Sequence, residues 1–240
     1  MKGSKNCIAK LIESENFVKL MNSLVRKTGA VISPYDNWMP KGVNYNTEAE
    51  LKDFLKYNFE PNLSKEIVKW WLEVDATTPN WDLISTCTIG GKKGLVLVEA
   101  KAHYNELANE SKGKGLDTKA SENSKSNHAK IAQAISDVNA EINKTVTGVS
   151  ISRDCCYQLS NRVAHAWWLA NHGIPVVLLY LGFLKVEDMR DGKNIIFETE
   201  SDWEKCFIEH AKKVGVDRIL DKWIDCGNSS FITICRSIQL

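Results

Sequence analysis

The sequence predicts an α/β protein, and two stretches of the chain carry most of that prediction. The first, TPNWDLISTCTIGGKKGLVLVEAKAH, has two apolar runs joined by Gly90-Gly91, a favoured two-residue turn, and predicts an antiparallel hairpin. The second is the helical pattern RDCCYQLSNRVAHAWWLANHG, which leads directly into the apolar strand IPVVLLYLGFL. A strand, a helix and a strand in succession are typical of a right-handed parallel crossover. Without an internal repeat or a clear linker, residues 1–240 are interpreted as one domain.

The other elements are predicted from apolar periodicity and from capping residues. Apolar residues recur at helical spacing, or a capping residue opens a helix, in five further segments: 6–27, 47–57, 64–74, 128–143 and 201–214. The segment FITICRSI predicts a last strand. The polar stretch from Glu110 to Lys130 carries five lysines against three acids, and its composition predicts a loop. A loop of that length is usually functional or disordered.

Composition and charge limit the function classes. The formal net charge of +1 argues against a general nucleic-acid coat or a membrane-surface protein, although it leaves room for a local basic cleft. The longest apolar run is too short to span a bilayer. The first residues mix charged and apolar side chains, so we expect no secretory signal. The seven irregularly spaced cysteines, with no CxxC pair, favour a reduced, cytoplasmic protein without a structural zinc site.

A cluster of charged residues ends the second strand of the hairpin. The four aliphatic residues Leu95 to Val98 are followed by Glu99, Ala100 and Lys101. Charged side chains at the end of a buried strand must be paired, ligated or placed at the edge of a cleft. Since side chains alternate along a strand, Glu99 and Lys101 point to one face and Ala100 points to the other.

The register of the hairpin decides which residue faces Glu99. Folding the hairpin at its two glycines places Asp82 opposite Glu99 and Ile84 opposite Leu97. A shift of two residues would place Asp82 opposite Lys101 instead, and a shift of one would send Asp82 to the other face. Two opposed carboxylates repel each other, and a divalent cation would relieve that repulsion.

These residues have the chemistry of a magnesium site. Asp82, Glu99 and the carbonyl of Ala100 offer three oxygen ligands, the kind that Mg²⁺ takes, and water and a phosphate would complete the shell. Lys101 would hold a nucleophilic water or stabilise charge that develops on a phosphate. The alternative is a structural salt-bridge cluster at the end of the sheet.

The motif PNWD, sixteen residues and then EAK resembles the pattern of the PD-(D/E)XK nuclease superfamily. In this resemblance Asp82 matches the first acid, Glu99 the second and Lys101 the lysine. The sequence departs from the pattern because Asn80 and Trp81 intervene between the proline and the acid.

The resemblance covers about 64–184 and implies a fold and a reaction. It implies a mixed central β-sheet flanked by helices, a restriction-endonuclease-like core with an N-terminal helical addition and a C-terminal one. It also implies a Mg²⁺-dependent nuclease, with Mn²⁺ as a substitute metal and nucleic acid as the partner, DNA being favoured over RNA. No membrane partner is expected.

The resemblance further implies site residues on the neighbouring helices. Glu73 and Glu66 are the candidates for an extra acid on the helix before the hairpin, and Glu73 is preferred as a metal ligand; the alternative is a solvated helix edge. On the helix after the motif strand, Gln158, Arg162 and His165 share one face. Gln158 would orient water or phosphate, and Arg162 would clamp phosphate. His165 is interpreted as a hydrogen-bonded, half-buried side chain.

The end of the polar loop supplies two more candidate contacts. Asn127 and His128, in the segment SNHAK, are predicted to bind substrate, while Ser126 or Asn127 has the alternative role of a helix cap. A strand-guiding role for the lysine-bearing loop is set against that of a solvated loop.

Three hypotheses follow from the residues and the resemblance together. The first is a metal-dependent phosphodiesterase in which Asp82 and Glu99 hold the metal, with Lys101, Gln158 and Arg162 around it. The second is a nuclease-like fold that binds nucleic acid or serves as a scaffold without cleaving. The third is an unrelated α/β protein whose acids form a structural cluster. The sequence contains no base-reading motif that would name a target.

Overall fold

The computed structural model describes residues 2–42, 48–74, 76–190 and 192–240. The α-helices of this part are α1 (Gly3–Glu13), α2 (Phe17–Val25), α3 (Leu51–Asn58), α4 (Pro61–Trp71), α5 (Tyr104–Glu110), α6 (Glu122–Asn143), α7 (Tyr157–Asn171) and α8 (Glu200–Lys212). Its strands are β1 (Ala30–Val31), β2 (Trp38–Met39), β3 (Ala49–Glu50), β4 (Asn80–Trp81), β5 (Leu83–Ile89), β6 (Lys92–Lys101), β7 (Val176–Phe183), β8 (Trp223–Asp225) and β9 (Ser230–Ile238). Short 3₁₀ helices lie at Arg26–Thr28, Glu187–Met189 and Val216–Ile219.

Among the described residues, seven strands form one mixed β-sheet. The order is β1-β5-β6-β7-β9-β8, and β2 also pairs with β5. Strands β6, β7 and β9 are parallel to one another, whereas β5 and β8 run antiparallel to their neighbours. Strands β3 and β4 form a separate two-stranded sheet. The prediction of an α/β protein with a mixed central sheet flanked by helices is confirmed.

The hairpin of β5 and β6 has the register that its sequence predicts. Ile84 pairs with Leu97, and Ile89 pairs with Lys92 across a two-residue turn. Both turn glycines have positive φ, 56° at Gly90 and 77° at Gly91, which is the backbone that a tight hairpin turn of this kind requires. Few side chains adopt that backbone, so the glycine pair sets the register locally.

The crossover from β6 to β7 also follows the prediction. Strand β7 runs parallel to β6, with Glu99 paired to Tyr180 and Lys101 to Gly182. Helix α7 lies between them in the chain and packs against β7 and β9. The carboxyl end of β6, where its charged residues lie, therefore sits beside the first turns of α7.

Each face of the sheet is covered by its own apolar core. Helices α1 and α2 pack on the face that carries Val96, Val98 and Ala100. Helices α3, α4, α6, α7 and α8 cover the face that carries Leu95 and Leu97. Because β6 alternates, Glu99 and Lys101 project toward the second face, where α7 lies.

Three predicted elements are corrected by the structure. The expected helix 6–27 is divided into α1 and α2, because Ser14 takes an extended backbone and turns the chain. Both helices place apolar residues on the same sheet face, and for this reason the periodicity looks continuous.

The helix expected over 64–74 is α4, which begins earlier, at Pro61, and ends at Trp71, where Leu72 becomes extended. The expected helix 47–57 is α3, which begins only at Leu51, because Ala49 and Glu50 are extended and form β3. Its proposed capping residue Thr47 lies outside the described residues.

The predicted loop at 110–130 is much shorter than expected. Helix α5 ends at the first residue of this stretch, Glu110, and α6 begins at Glu122, six residues before the expected position. The hydroxyl of Ser121 caps α6 by accepting a hydrogen bond from the N–H of Ser124 at 3.2 Å. Residues 121–126 are exposed, so this first part of α6 has no apolar periodicity by which the sequence would reveal a helix.

No helix in the described ranges combines the length and the apolar character needed to cross a lipid bilayer. All seven cysteines are free thiols.

Candidate active site

The hairpin and the crossover helix bring the predicted residues together at the carboxyl end of β6. Asp82 directly precedes the first residue pair of the hairpin, Leu83 with Val98, so its position continues the ladder to Glu99. The carboxylate of Asp82 accepts a hydrogen bond from the N–H of Ala100 at 2.7 Å. Asp82 is partly exposed, whereas only 2% of Glu99 is exposed.

Four donor contacts converge on the carboxylate of Glu99. The Nζ of Lys101 and the Nε2 of Gln158 contact Oε1 at 2.5 Å and 2.7 Å. The Nε and Nη2 atoms of Arg162 each lie 2.7 Å from Oε2. The guanidinium of Arg162 thus contacts Oε2 of Glu99, whereas Lys101 and Gln158 both contact Oε1.

Arg162 is itself fixed by two further contacts. Its Nη2 donates to the carbonyl of Asn80 at 2.7 Å, and its guanidinium carbon lies 4.3 Å from the ring centroid of Trp81. The aromatic face and the charge attract each other. Since Asn80 and Trp81 are the two residues inserted between Pro79 and Asp82, this departure from the nuclease motif provides the contacts that orient Arg162.

A third buried acid, Glu110, belongs to this cluster. Its Oε1 pairs with the Nζ of Lys101, so that the ammonium lies between Glu99 and Glu110. The other oxygen, Oε2, lies 3.8 Å from Nε2 of His210. The polar composition of 110–130 predicts that Glu110 starts a loop, whereas it is the last residue of α5. The only local signal is Leu107 and Glu110 on one face of a short helix, a pattern too common to identify a site.

Burial and mutual charge separate the pKa values of the acids. Burial, together with the charge of Glu99, raises the pKa of Asp82 to about 7. Burial also raises the pKa of Glu110 to about 7, although the charge of Lys101 opposes the change. For Glu99, burial is outweighed by the charges of Arg162 and Lys101, which hold its pKa below its ordinary value. Two carboxyl groups therefore titrate near neutrality beside one that stays ionised.

Lys101 is held in its charged form. Burial opposes its charge, but the carboxylates of Glu99 and Glu110 more than compensate and raise its pKa well above the ordinary value. His210, by contrast, has its pKa lowered to about 4 by burial and by the charges of Lys213 and Lys101. It is neutral near pH 7 and adds no positive charge beside Glu110.

These residues line an open cleft with a volume of about 530 Å³, here called the acid cleft. Its walls include five carboxylates: Glu48, Asp82, Glu99, Glu106 and Glu110. Across the described part of the chain, no three His, Cys, Asp or Glu side chains are arranged as a ready metal-binding group. The reason is visible in the contacts: Lys101 occupies the space between Glu99 and Glu110, and Arg162 occupies the other side of Glu99.

The donor set nevertheless has the chemistry that a divalent cation requires. The oxygens are carboxylates, which are hard ligands, and burial, aided by the charge of Glu99, raises the pKa values of Asp82 and Glu110 to about 7, so that each group can exchange a proton for a cation near neutral pH. A cation at Asp82 and Glu99 would need Lys101 to shift its contact toward Glu110, with which it is already paired.

The predicted helix acids lie elsewhere. Glu73 follows the end of α4, is exposed, and has one carboxylate oxygen 3.7 Å from the Nζ of Lys130. Glu66 is exposed on α4. Neither residue lines the acid cleft. The acid that joins the cluster comes from α5, after the hairpin, and not from the helix before it.

Asn127 and His128 hold neighbouring backbone segments. The Oδ1 of Asn127 accepts hydrogen bonds from the N–H groups of Glu73 and Val74 at 2.9 Å and 2.8 Å, and its Nδ2 donates to the carbonyl of Val74. The ring nitrogens of His128 contact the carbonyl of Lys114 at 2.8 Å and Nη1 of Arg153 at 2.9 Å. Neither Ser126 nor Asn127 is the helix cap, since α6 begins at Glu122. The side chains of Asn127 and His128 are already engaged in contacts within the protein.

His165 is a core residue. It is fully buried, its Nδ1 lies 2.9 Å from the carbonyl of Asn161, and its ring packs against Trp70 and Trp71. Burial lowers its pKa to about 3. The expectation of a hydrogen-bonded histidine is confirmed, although the residue is fully rather than half buried.

Comparison of the chain with protein-family models, with curated proteins and with solved structures yields no match.

Proposed function

We propose that the protein is a metal-dependent hydrolase of phosphodiester bonds in nucleic acid, with a restriction-endonuclease-like core over about 64–184. The observation that carries this proposal is the convergence of Asp82, Glu99 and Lys101 from one hairpin with Gln158 and Arg162 from the crossover helix. They meet at the carboxyl end of a parallel strand, the usual position of ligand sites in open α/β sheets. DNA is the favoured substrate.

Asp82 and Glu99 would hold Mg²⁺ or Mn²⁺ in this proposal, and the Ala100 carbonyl would complete the protein ligands. When bound, the metal supplies polarisation of the phosphate and a lowered pKa for a coordinated water. Burial, and after it repulsion from Glu99, raises the pKa of Asp82, and a bound cation would replace that repulsion with attraction. Binding should therefore release protons near neutral pH.

Lys101 acts as a fixed positive charge rather than as a proton acceptor. Its raised pKa keeps the ammonium protonated, so it has no lone pair to accept a proton from water. Held between Glu99 and Glu110, the ammonium stabilises negative charge as it develops on a phosphate oxygen.

Gln158 and Arg162 position the phosphate, and Glu110 takes up the proton. The amide of Gln158 and the guanidinium of Arg162 both line the acid cleft. Each donates a hydrogen bond to the carboxylate of Glu99, which fixes its orientation. Glu110 has a pKa of about 7, which suits a group that must accept and release a proton at neutral pH. It lines the acid cleft beside Lys101, with which it is paired.

The experiment is a Mg²⁺ titration by calorimetry beside cleavage of labelled single-stranded and duplex DNA and RNA. We expect the parent to bind Mg²⁺ and cleave, and Asp82→Asn to lose both. Lys101→Met should keep most of the metal affinity and lose about a hundredfold or more in cleavage rate. Glu73→Gln is the matched control: an exposed acid outside the acid cleft should leave both measurements unchanged. Absence of metal binding by the parent would refute the proposal.

A second candidate is a nucleic-acid-binding or scaffolding module that does not cleave. The observation in its favour is that both oxygens of Glu99 are already paired with Lys101, Gln158 and Arg162. A network this complete is stable without metal. In that case the parent would bind nucleic acid with no dependence on Mg²⁺, and Asp82→Asn would bind as well as the parent.

A further inference from the structure

A second cavity adjoins the acid cleft and shares a wall with it. This cavity, here called the side pocket, has a volume of about 660 Å³. Four residues line both spaces: Asn80, Tyr157, Gln158 and Arg162. A ligand whose phosphate contacts Gln158 or Arg162 would therefore place its next chemical group in the side pocket.

The two cavities differ sharply in charge. Five carboxylates line the acid cleft, whereas no Asp or Glu stands among the described residues that line the side pocket. The side pocket is instead lined by amides, hydroxyls and apolar side chains, with two cations, Lys114 and Arg162, at its wall. Such a lining suits an uncharged group that offers both hydrogen-bond donors and acceptors.

One buried polar atom in the side pocket is left without a partner. Asn161 lines the pocket and only 4% of it is exposed, yet its Oδ1 accepts no hydrogen bond from the described residues. An unpaired buried carbonyl oxygen is costly, and a ligand N–H would satisfy it. The exocyclic amino groups and ring N–H groups of nucleobases are donors of this kind.

The side pocket is also lined by an aromatic ring, that of Tyr157, and by an exposed apolar side chain, that of Leu116. The ring of Tyr157 is partly exposed, with the Nζ of Lys114 4.9 Å from its centroid. Leu116 is 41% exposed although it is a large apolar residue, and it also lines the pocket. An aromatic face, a cation and an exposed leucine together form a surface on which an unstacked base can pack.

We propose that the side pocket binds an unpaired nucleobase adjacent to the phosphate held in the acid cleft. The inference rests on the proposed function for its ligand class, nucleic acid. Asn161 accepts a hydrogen bond from the base edge, and Tyr157 and Leu116 contact its faces. A base inside a duplex is paired and stacked and so cannot enter, hence the site favours single-stranded, bulged or end nucleotides over continuous duplex.

The test measures binding of a labelled eight-nucleotide DNA by fluorescence anisotropy in EDTA, where metal-dependent cleavage cannot proceed. The probes are a single strand, the same strand in duplex, and a single strand in which abasic sites replace the central bases. We expect the abasic strand and the duplex to bind about fivefold more weakly, or worse, than the intact single strand. Equal affinity for the intact and abasic strands would overturn the inference, as would the absence of saturable binding.

Variants of residues in the side pocket test its role in binding independently of the acid cleft. Leu116→Ala and Asn161→Leu should each weaken binding of the intact strand about fivefold or more and leave binding of the abasic strand unchanged. Because Asn161 is buried, its variant is also checked for folding; exposed Leu116 keeps the test valid if that variant fails. The matched control Ile195→Ala alters a residue that is 68% exposed and does not line the side pocket, and should bind like the parent. Parent-like binding by Leu116→Ala would also overturn the inference.

The base-binding test and the cleavage test can fail independently of each other. Base-dependent binding without cleavage in Mg²⁺ would refute the hydrolase and leave the side pocket assigned. Cleavage with no difference between intact and abasic strands would support the hydrolase and refute the base site.

Discussion

Replacing Asp82 with asparagine should stabilise the protein in the absence of metal, by an amount that grows from about pH 4 and is complete above about pH 7. Burial and the neighbouring charge of Glu99 raise the pKa of Asp82 from 3.8 to about 7. The folded state therefore retains a proton that the unfolded state gives up. Asparagine carries no charge, and its side-chain oxygen can still accept the hydrogen bond that Asp82 receives from Ala100 at 2.7 Å.

The size and sign of the effect follow from proton linkage. Between about pH 4 and pH 7 the unfolded chain ionises at Asp82 while the folded chain does not, so the parent loses stability as the pH rises. A difference between 3.8 and about 7, at about 1.4 kcal/mol for each pH unit, gives about 4 kcal/mol as the full cost. Relaxation around the partly exposed carboxylate lowers this value, and we expect Asp82→Asn to gain about 2–4 kcal/mol at pH 8 and nearly nothing at pH 4.

The assay is urea unfolding of the parent and of Asp82→Asn from pH 4 to pH 9 in EDTA, then in Mg²⁺. Asp137→Asn, which changes an exposed acid on α6, is the control and should give a constant difference across this range. In Mg²⁺ the order should reverse, because a cation that binds only the native parent stabilises it. A variant less stable than the parent at pH 8 in EDTA would refute the reasoning, since the charge of Asp82 would then be favourable in the folded state.

The remaining predictions concern the ion cluster and the packing beside it. Lys101→Met leaves Glu99 and Glu110 without their shared cation, so the free energy of unfolding in EDTA should fall by about 3–5 kcal/mol; stability equal to the parent's would contradict the buried pairing. Glu110→Gln removes one of the two carboxyls with a pKa of about 7, so the acidic limb of the pH–rate profile should become less steep, with Asp82 left to titrate; an unchanged slope would exclude Glu110 as the proton acceptor. Gly182→Ala would place a Cβ against the Trp203 ring, closer than van der Waals contact allows, and should cost about 1–3 kcal/mol or more in chemical unfolding; a parent-like midpoint would show that the ring can move.

The parts of the fold that the sequence predicts correctly are those set by local rules. A Gly-Gly turn and a side-chain period of two determine the register of β5 and β6, and from these alone Asp82 is assigned opposite Glu99. The crossover to β7 follows from the order of elements and from the handedness of such connections. Helix ends are less accurate, since the exposed first turns of α6 have no apolar pattern, and a shared sheet face hides the break between α1 and α2.

The residues of the candidate site also include some that local rules predict and some that only the packing of separate elements brings in. Asp82, Glu99 and Lys101 are linked by one hairpin, and its turn and side-chain alternation predict that they lie together. Gln158 and Arg162 are selected by the resemblance to the nuclease pattern, and helical spacing predicts only that they share a face. The tertiary structure alone decides that Glu110 shares Lys101 with Glu99 and that Glu73 pairs with Lys130 instead.

The side pocket, too, is a product of the tertiary structure, because its lining comes from α4, the segment before β5, the 111–121 loop, α6 and α7. Turn chemistry and side-chain periodicity act between residues close in sequence. A buried ion pair or a cavity depends on where separate elements pack, and no local pattern records that.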